Sequence, residues 1–250
     1  MLSDCNWGHF RRIFCGLVLA CQFAVTPVQA QEPVQLWVQS IFGSRHTATH
    51  FKPFFDEAFR QIERGYSIYY SNNFELLGRR CLQQHYDVIM GSYSAAMREI
   101  ERDCGYRLVA ITEQPIHLYT LMGQPLTKIG RVGVIPGIRA ADMEFHSVVP
   151  ASATLVPFRN HIAATMALLE GKIDALSSAP VAIQRLSPQL KNKLVIAHTF
   201  ADIGRGAALL SPRFIATEEG RSFRRFVLSN GEISRRIYIE GMGISPWLEP

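Results

Sequence analysis

The chain has 250 residues, 48% of them hydrophobic and 19% charged, with a formal charge of +5. That make-up can bury a sizeable core and excludes a disordered polymer. The basic residues are scattered rather than gathered in blocks interleaved with aromatics, which excludes a nucleic-acid surface and leaves a mildly basic exterior suited to an anionic solute.

The first 30 residues read as removable. Arg11 and Arg12 precede the apolar run Ile13 to Val25, and Val28 and Ala30 supply small residues before Gln31. This is the layout of a secretory signal peptide, cleaved after Ala30 for export to the periplasm. The run is short of the 20 or so apolar residues that span a bilayer. An uncleaved anchor and lipid attachment at Cys21 are the rival readings. Three of the five cysteines fall in this leader, leaving Cys81 and Cys104. In an oxidising compartment the pair forms either a disulfide or two buried thiols.

"VQLWVQSIFG" alternates apolar and polar residues as a strand does. "GSRHTATHF" reads as a loop, and Pro53 as the start of a helix whose stripe is Phe54, Phe55, Ala58, Phe59 and Ile62. "YSIYYS" is a second strand, and Asn72 with Glu75 forms a capping box for the helix "FELLGRRCLQQ". "YDVIMGS" is a third strand, with "YSAAMREIERDC" the helix after it. "YRLVAITEQPIHLYTLMG" gives one or two strands. The stretch 124–160 is rich in Gly, Pro and small residues. "HIAATMALLEGKIDALSSAP" then gives a helix with Ile162, Met166 and Leu169 on one face, followed by a short strand. "KLVIAHTF" and "GAALLSP" are strands, and Thr217, Glu218 and Glu219 open a last helix with Phe223, Phe226 and Val227 inward.

The beat of strand and helix predicts an α/β architecture with a largely parallel sheet. "CLQQHYDVIMGSYSAA" and "LLEGKIDALSSAP" share a plan, with Asp87 and Asp174 in equivalent places. Both aspartates are expected to fix strand entry rather than touch a ligand. The echo implies two α/β lobes built alike.

"YDVIMGSYSAA", "RNHIAATMALLEGKIDALSSAP" and the ending "ALLSPRF…FRRFVLSNGE…GMGI" together resemble periplasmic substrate-binding proteins of the phosphate/phosphonate ABC-transporter type. The resemblance implies the type 2 periplasmic-binding fold: two lobes of mixed sheet flanked by helices, with a hinge. It divides the chain into the leader 1–30, a first lobe of 31–122 and 203–250, and a second lobe of 123–202, with hinges near 122–126 and 199–205. Two departures stand out. Gly91 is followed by Ser92 where the family carries proline. "GVIPGIRAAD", with Pro136 and Gly137, stands where a hydroxyl-rich turn is usual, which removes one oxyanion-binding element.

The expected function is capture of a small oxyanionic, phosphate- or phosphonate-like solute between the lobes. A membrane permease with its ATPase is the expected partner. The alternatives are a sensor presented to a membrane histidine kinase, or an enzyme on the same scaffold. Helix N-termini offer backbone N–H groups to an anion. The candidate ligand residues are therefore Ser92, Tyr93 and Ser94 after the third strand, Tyr70 and Ser71 after the second, and Ser177 after the strand "IDAL". The resemblance adds His161 at a histidine position of the family. His46 is expected in a ligand-facing loop; spacing with His50 alone does not complete a metal site. No nucleophile elbow, phosphate loop, dinucleotide fingerprint or CxxC pair is present, so no catalytic residue, cofactor, metal or nucleic acid is expected, and the protein is read as a monomer.

Overall fold

The computed structural model describes residues 32–40, 42–73, 77–78, 86–136, 143–184 and 186–250. The leader, Cys81, most of the helix "FELLGRRCLQQ" and the turn 137–142 lie outside the described residues.

One eight-stranded mixed sheet runs through the chain from Pro33 to Pro250. In chain order its strands are β1 (Val34–Gln39), β2 (Tyr66–Ser71), β3 (Val88–Ser92), β4 (Arg107–Leu121), β5 (Arg131–Val134), β6 (Thr154–Pro157), β7 (Ala175–Ser178) and β8 (Leu194–Leu210). Their spatial order is β2-β1-β3-β8-β4-β7-β5-β6. The pairs β1/β2, β1/β3, β5/β6 and β5/β7 are parallel, while β8 runs antiparallel to β3 and β4, and β7 antiparallel to β4.

Strands β4 and β8 tie the halves of this sheet together. Their outer parts pair from Arg107↔Leu210 to Pro115↔Ile203, and their inner parts from His117↔Thr199 to Leu121↔Leu194. The register breaks between Pro115 and His117, where proline has no N–H to give the ladder. The sequence reading split β8 into two strands, but it runs unbroken from Leu194 to Leu210. The segment 199–205, expected to hold a hinge, includes the stretch from Thr199 to Ile203 where the ladder with β4 is interrupted.

Both faces of the sheet are covered, so apolar residues alternate between two cores. In the first half, Leu36, Val38, Val88 and Met90 pack on one face with Phe54, Phe55 and Phe223. Trp37 and Ile89 pack on the other with Met97 and Ile100. Each such fully buried side chain contributes about 1.5–3 kcal/mol. In the second half, Val132 and Phe145 serve one face, and Leu168, Ile173 and Leu176 the other.

The helices that matter for the site are α1 (Ser44–Gln61), α2 (Ala95–Cys104) and α3 (His161–Leu169). Helix α1 begins nine residues before Pro53, where a loop was expected. Gly43, at φ 83, turns the chain into it, and Thr47 Oγ1 accepts the Phe42 N–H at 3.0 Å. Helix α3 is capped by Asn160, whose side chain accepts the Ala163 N–H at 2.9 Å. Its large apolar residues Ile162 and Met166 are exposed. The buried face is His161, Ala164, Thr165, Ala167 and Leu168, small enough to sit close on the sheet.

The helix expected to be the last runs Glu218–Leu228, capped by Thr217, whose hydroxyl accepts the Gly220 N–H at 3.0 Å, and two further helical segments, Glu232–Ser234 and Arg235–Glu240, follow it. The segment beyond it returns to the sheet: Ser245 N–H donates to Glu113 O at 2.9 Å, and Leu248 N–H to Ile111 O at 2.7 Å. This covers the open edge of β4.

Candidate functional site

A cavity of about 80 Å³ lies where β4 and β8 cross between the two halves. The ends of β1 and β3 supply Gln39, Met90, Gly91 and Ser92. The middle of β4 adds Thr112, Gln114 and Ile116, and β8 adds Gly204 and Gly206. From the second half come His161 and, just past β7, Ala179 and Val181. Tyr238, Met242, Ile244 and Trp247 close it from the C-terminal segment. Elements from both halves thus meet at one small space, at the strand ends where α/β sheets hold ligands.

Glycines make room for this arrangement. A Cβ on Gly91 would sit 2.9 Å from the Cβ of Gln39, and one on Gly206 would sit 2.5 Å from Thr112 Oγ1. Gln39 and Thr112 therefore lie flat across neighbouring strands. Both are buried.

The turn after β3 is not an open anion nest. Ser92 N–H donates to Gln39 Oε1 at 2.7 Å, Tyr93 N–H to Arg205 O at 2.7 Å, and Ser94 N–H to Ser92 O at 2.8 Å. All three N–H groups that sequence reasoning offered to an oxyanion are already taken by the protein. Ser92 still lines the cavity.

Tyr93 does not line it. Its ring packs against the core of Trp37 and Met97, and its hydroxyl donates to Glu101 Oε2 at 2.5 Å. Burial first, and then the carboxylate, pushes the Tyr93 phenol up to about 12. Ser94 precedes helix α2 and makes no side-chain cap; its buried Oγ has no hydrogen-bond partner. Ser71 closes a turn by accepting the Asn73 N–H at 3.0 Å, and Tyr70 packs against the core beneath α1. Neither is among the lining residues.

His161 is buried at the start of α3, with Nδ1 2.9 Å from Ser178 Oγ. Burial lowers its pKa to about 4, so the ring is neutral near pH 7. Its partner is Ser178, not Ser177. Strand alternation turns Ser177 to the opposite face of β7, away from α3. His46 sits elsewhere, exposed in helix α1 beside a separate open cleft of about 590 Å³ with Arg45, His50 and Arg236. No group of three metal-ligating side chains occurs among the described residues.

Gln39, Thr112, Gln114 and Trp247 escaped the sequence reading. Gln39 carried a signal, a polar residue at the end of an otherwise apolar strand, but its role depends on which strand lies beside it.

The two halves also touch outside the cavity. Asn72 Nδ2, after β2, donates to Ser40 O at 3.0 Å and to Arg159 O, just before α3, at 2.5 Å.

No protein-family model matches the sequence, and no curated protein matches it. Solved structures do. PhnD1 from Prochlorococcus marinus, in complex with methylphosphonate, superposes with a TM-score of 0.71 at 9% identity, over 87% of this chain and 92% of its own. A binding protein component of an ABC phosphonate transporter from Pseudomonas aeruginosa gives 0.63 at 12% identity, over 88% and 82%. MatC from Rhodopseudomonas palustris with bound malate gives 0.63 at 15%, over 86% and 91%. The chain has the type 2 periplasmic-binding-protein fold. At these identities the likeness carries the fold alone. The similar structures are of small-ligand binding proteins, and no described helix here is long and apolar enough to cross a membrane.

Proposed function

We propose that the protein is an exported solute-binding protein that captures a small solute in the cavity at the β4/β8 crossing and passes it to a membrane permease with its ATPase. The observation that carries this reading is the cavity itself, small and walled from both halves of the sheet. Binding there lets occupancy and closure report on one another. The broken register at Pro115–His117 is where the ladder yields most easily, so the halves open by bending there. The Asn72–Arg159 contact belongs to the closed form. The likeness to a phosphonate transporter component and to binding proteins with bound methylphosphonate or malate supports the same role.

Three features of the sequence belong with this reading. The leader ending at Ala30 directs export, Cys81 and Cys104 pair in the oxidising compartment, and the halves correspond to the lobes 31–122 with 203–250 and 123–202. Ser92, Thr112 and His161 line the space the solute would occupy.

The test is a thermal-shift screen of small solutes, followed by small-angle scattering of the hits. A true ligand raises the melting temperature and makes the protein more compact. A broad screen in which nothing does so sinks the reading, and turnover of a bound solute would replace it with an enzyme.

A further inference from the structure

The chemistry of the lining narrows the ligand more than the fold does. Among the described residues around the cavity none is Lys or Arg, and burial keeps both the His161 ring and the Tyr238 phenol neutral. The backbone N–H groups of the turn after β3 are spent on Gln39, Arg205 and Ser92. A dianion taken into this space would meet no cation and few free donors. Its desolvation rises with the square of its charge and would go uncompensated.

Much of the wall is apolar, with Met90, Ile116, Val181, Met242 and Ile244 lining the cavity beside the polar Gln39, Ser92, Thr112 and Tyr238. Two of the lining residues each carry a polar atom without a partner. Trp247 is buried, at 4% exposure, and its indole N–H finds no acceptor; Gln114 Oε1 is buried and finds no donor. Buried polar groups left unpaired in a folded protein call for an occupant that satisfies them. An unpaired donor and an unpaired acceptor, in a wall that is mostly apolar and carries neutral hydroxyls rather than cations, suit a short amphiphile. At roughly 10–15 Å³ for each water-sized position, the space admits a body of a few heavy atoms.

We propose that the solute is a short amphiphile bearing at most one negative charge, with a single hydrogen-bonding head on an apolar body of a few carbons. Small amides, alcohols and monocarboxylates belong to this class; phosphate and phosphonate dianions do not. The proposal rests on the cavity being the solute site. Within it, Trp247 and Gln114 hold the head, and the apolar wall selects the body.

The test is isothermal titration of the purified protein with butyramide, isobutanol and butyrate, against phosphate, methylphosphonate and sulfate. It is run at about pH 8.5, where phosphoryl oxyanions carry two charges. At least one of the first three is expected to bind about tenfold or more tightly than every one of the last three. Gln114→Met and Trp247→Phe should each weaken that binding about tenfold, since an unsatisfied head loses its partner. Ala179→Leu, which fills the cavity, should abolish it. Equal or tighter binding of phosphate, methylphosphonate or sulfate overturns the assignment of class and leaves the binding-protein reading intact. Amphiphile binding that survives Ala179→Leu overturns the assignment of the cavity. Silence from all six solutes overturns the class, and the broad screen then decides separately whether the protein binds any solute.

Discussion

Asp87 and Asp174 perform one task at two places in the sheet. Asp87, just before β3, accepts the Gln35 N–H of β1 through Oδ2 at 3.0 Å; Asp174, just before β7, accepts the Gly130 and Arg131 N–H groups at the start of β5, at 3.0 and 2.8 Å. Each carboxylate also meets an arginine, Arg213 at 2.8 Å and Arg131 at 3.2 Å. Each pins a parallel neighbour at its entry, far from the cavity lining. Asp87 is the more buried, so Asp87→Ala should cost about 2–4 kcal/mol and Asp174→Ala about 1–2 kcal/mol by chemical denaturation. Solute affinity should hold in both. Lost affinity with unchanged stability would move either residue into the site.

Stability should fall in mild acid. His161 has its pKa lowered to about 4 by burial, so the unfolded chain binds a proton that the folded one refuses. The stabilisation is fully present above the unfolded value near 6.5 and drains away as pH falls toward 4, a loss of about 3 kcal/mol. His117, also lowered by burial and beside Thr199 Oγ1 at 2.9 Å, adds to the slope in the same direction. Urea midpoints measured between neutral pH and about 4.5 should show the decline, and His161→Gln should flatten most of it. A wild-type profile that is level over this window contradicts the buried neutral ring.

Glycine substitutions should rank by distance. An added Cβ at Gly206 meets Thr112 Oγ1 at 2.5 Å, one at Gly91 meets Gln39 at 2.9 Å, and one at Gly204 meets Ile116 at 3.2 Å. Gly206→Ala and Gly91→Ala should therefore displace a polar lining residue, weakening solute binding about tenfold for about 1–3 kcal/mol of stability. Gly204→Ala asks only an aliphatic chain to shift and should bind nearly as the parent. The reverse order in titrations would show that Gln39 and Thr112 do not shape the cavity.

Tyr93→Phe should leave solute affinity alone. The hydroxyl serves Glu101, so its removal costs about 1 kcal/mol of stability and nothing at the cavity. A tenfold loss of affinity would restore the role that the sequence suggested.

Asn72→Ala should loosen the closed form. It removes the donor that joins Ser40 to Arg159 across the two halves, so solute affinity should fall several-fold while the apo protein expands slightly in solution scattering. Unchanged affinity would make the contact incidental. Separately, mass analysis without reductant should find Cys81 and Cys104 joined, closing a loop that contributes about 3 kcal/mol; two alkylatable thiols would refute the bridge.

Local signals carried much of this fold. Period-two alternation marked β1, a short apolar run marked β3, the capping threonine marked the helix at Glu218, and the paired aspartates were read correctly as strand anchors. The failures came where a residue's role depends on a distant neighbour. The Ser92–Ser94 turn looked ready for an anion because Gln39, 53 positions earlier, and Arg205 are invisible to a local window. Which face of α3 turns inward was not legible from periodicity: the buried residues include Ala164 and Ala167, while Ile162 and Met166 are exposed. The start of α1 was missed because its first turns are polar and Pro53 invites a later one.

The crossing of β4 and β8 also sets an order of assembly. Strands β5, β6 and β7 with α3 form an unbroken stretch of chain, so that half can draw on contacts of short sequence separation. The other half needs β8 to return beside β3, Val88 to Leu210, across everything made in between. Closing so long an excursion is slow, and nothing in the contiguous half hastens it. Refolding should be staged, with the contiguous half structured first and the cavity completed last, when β8 docks.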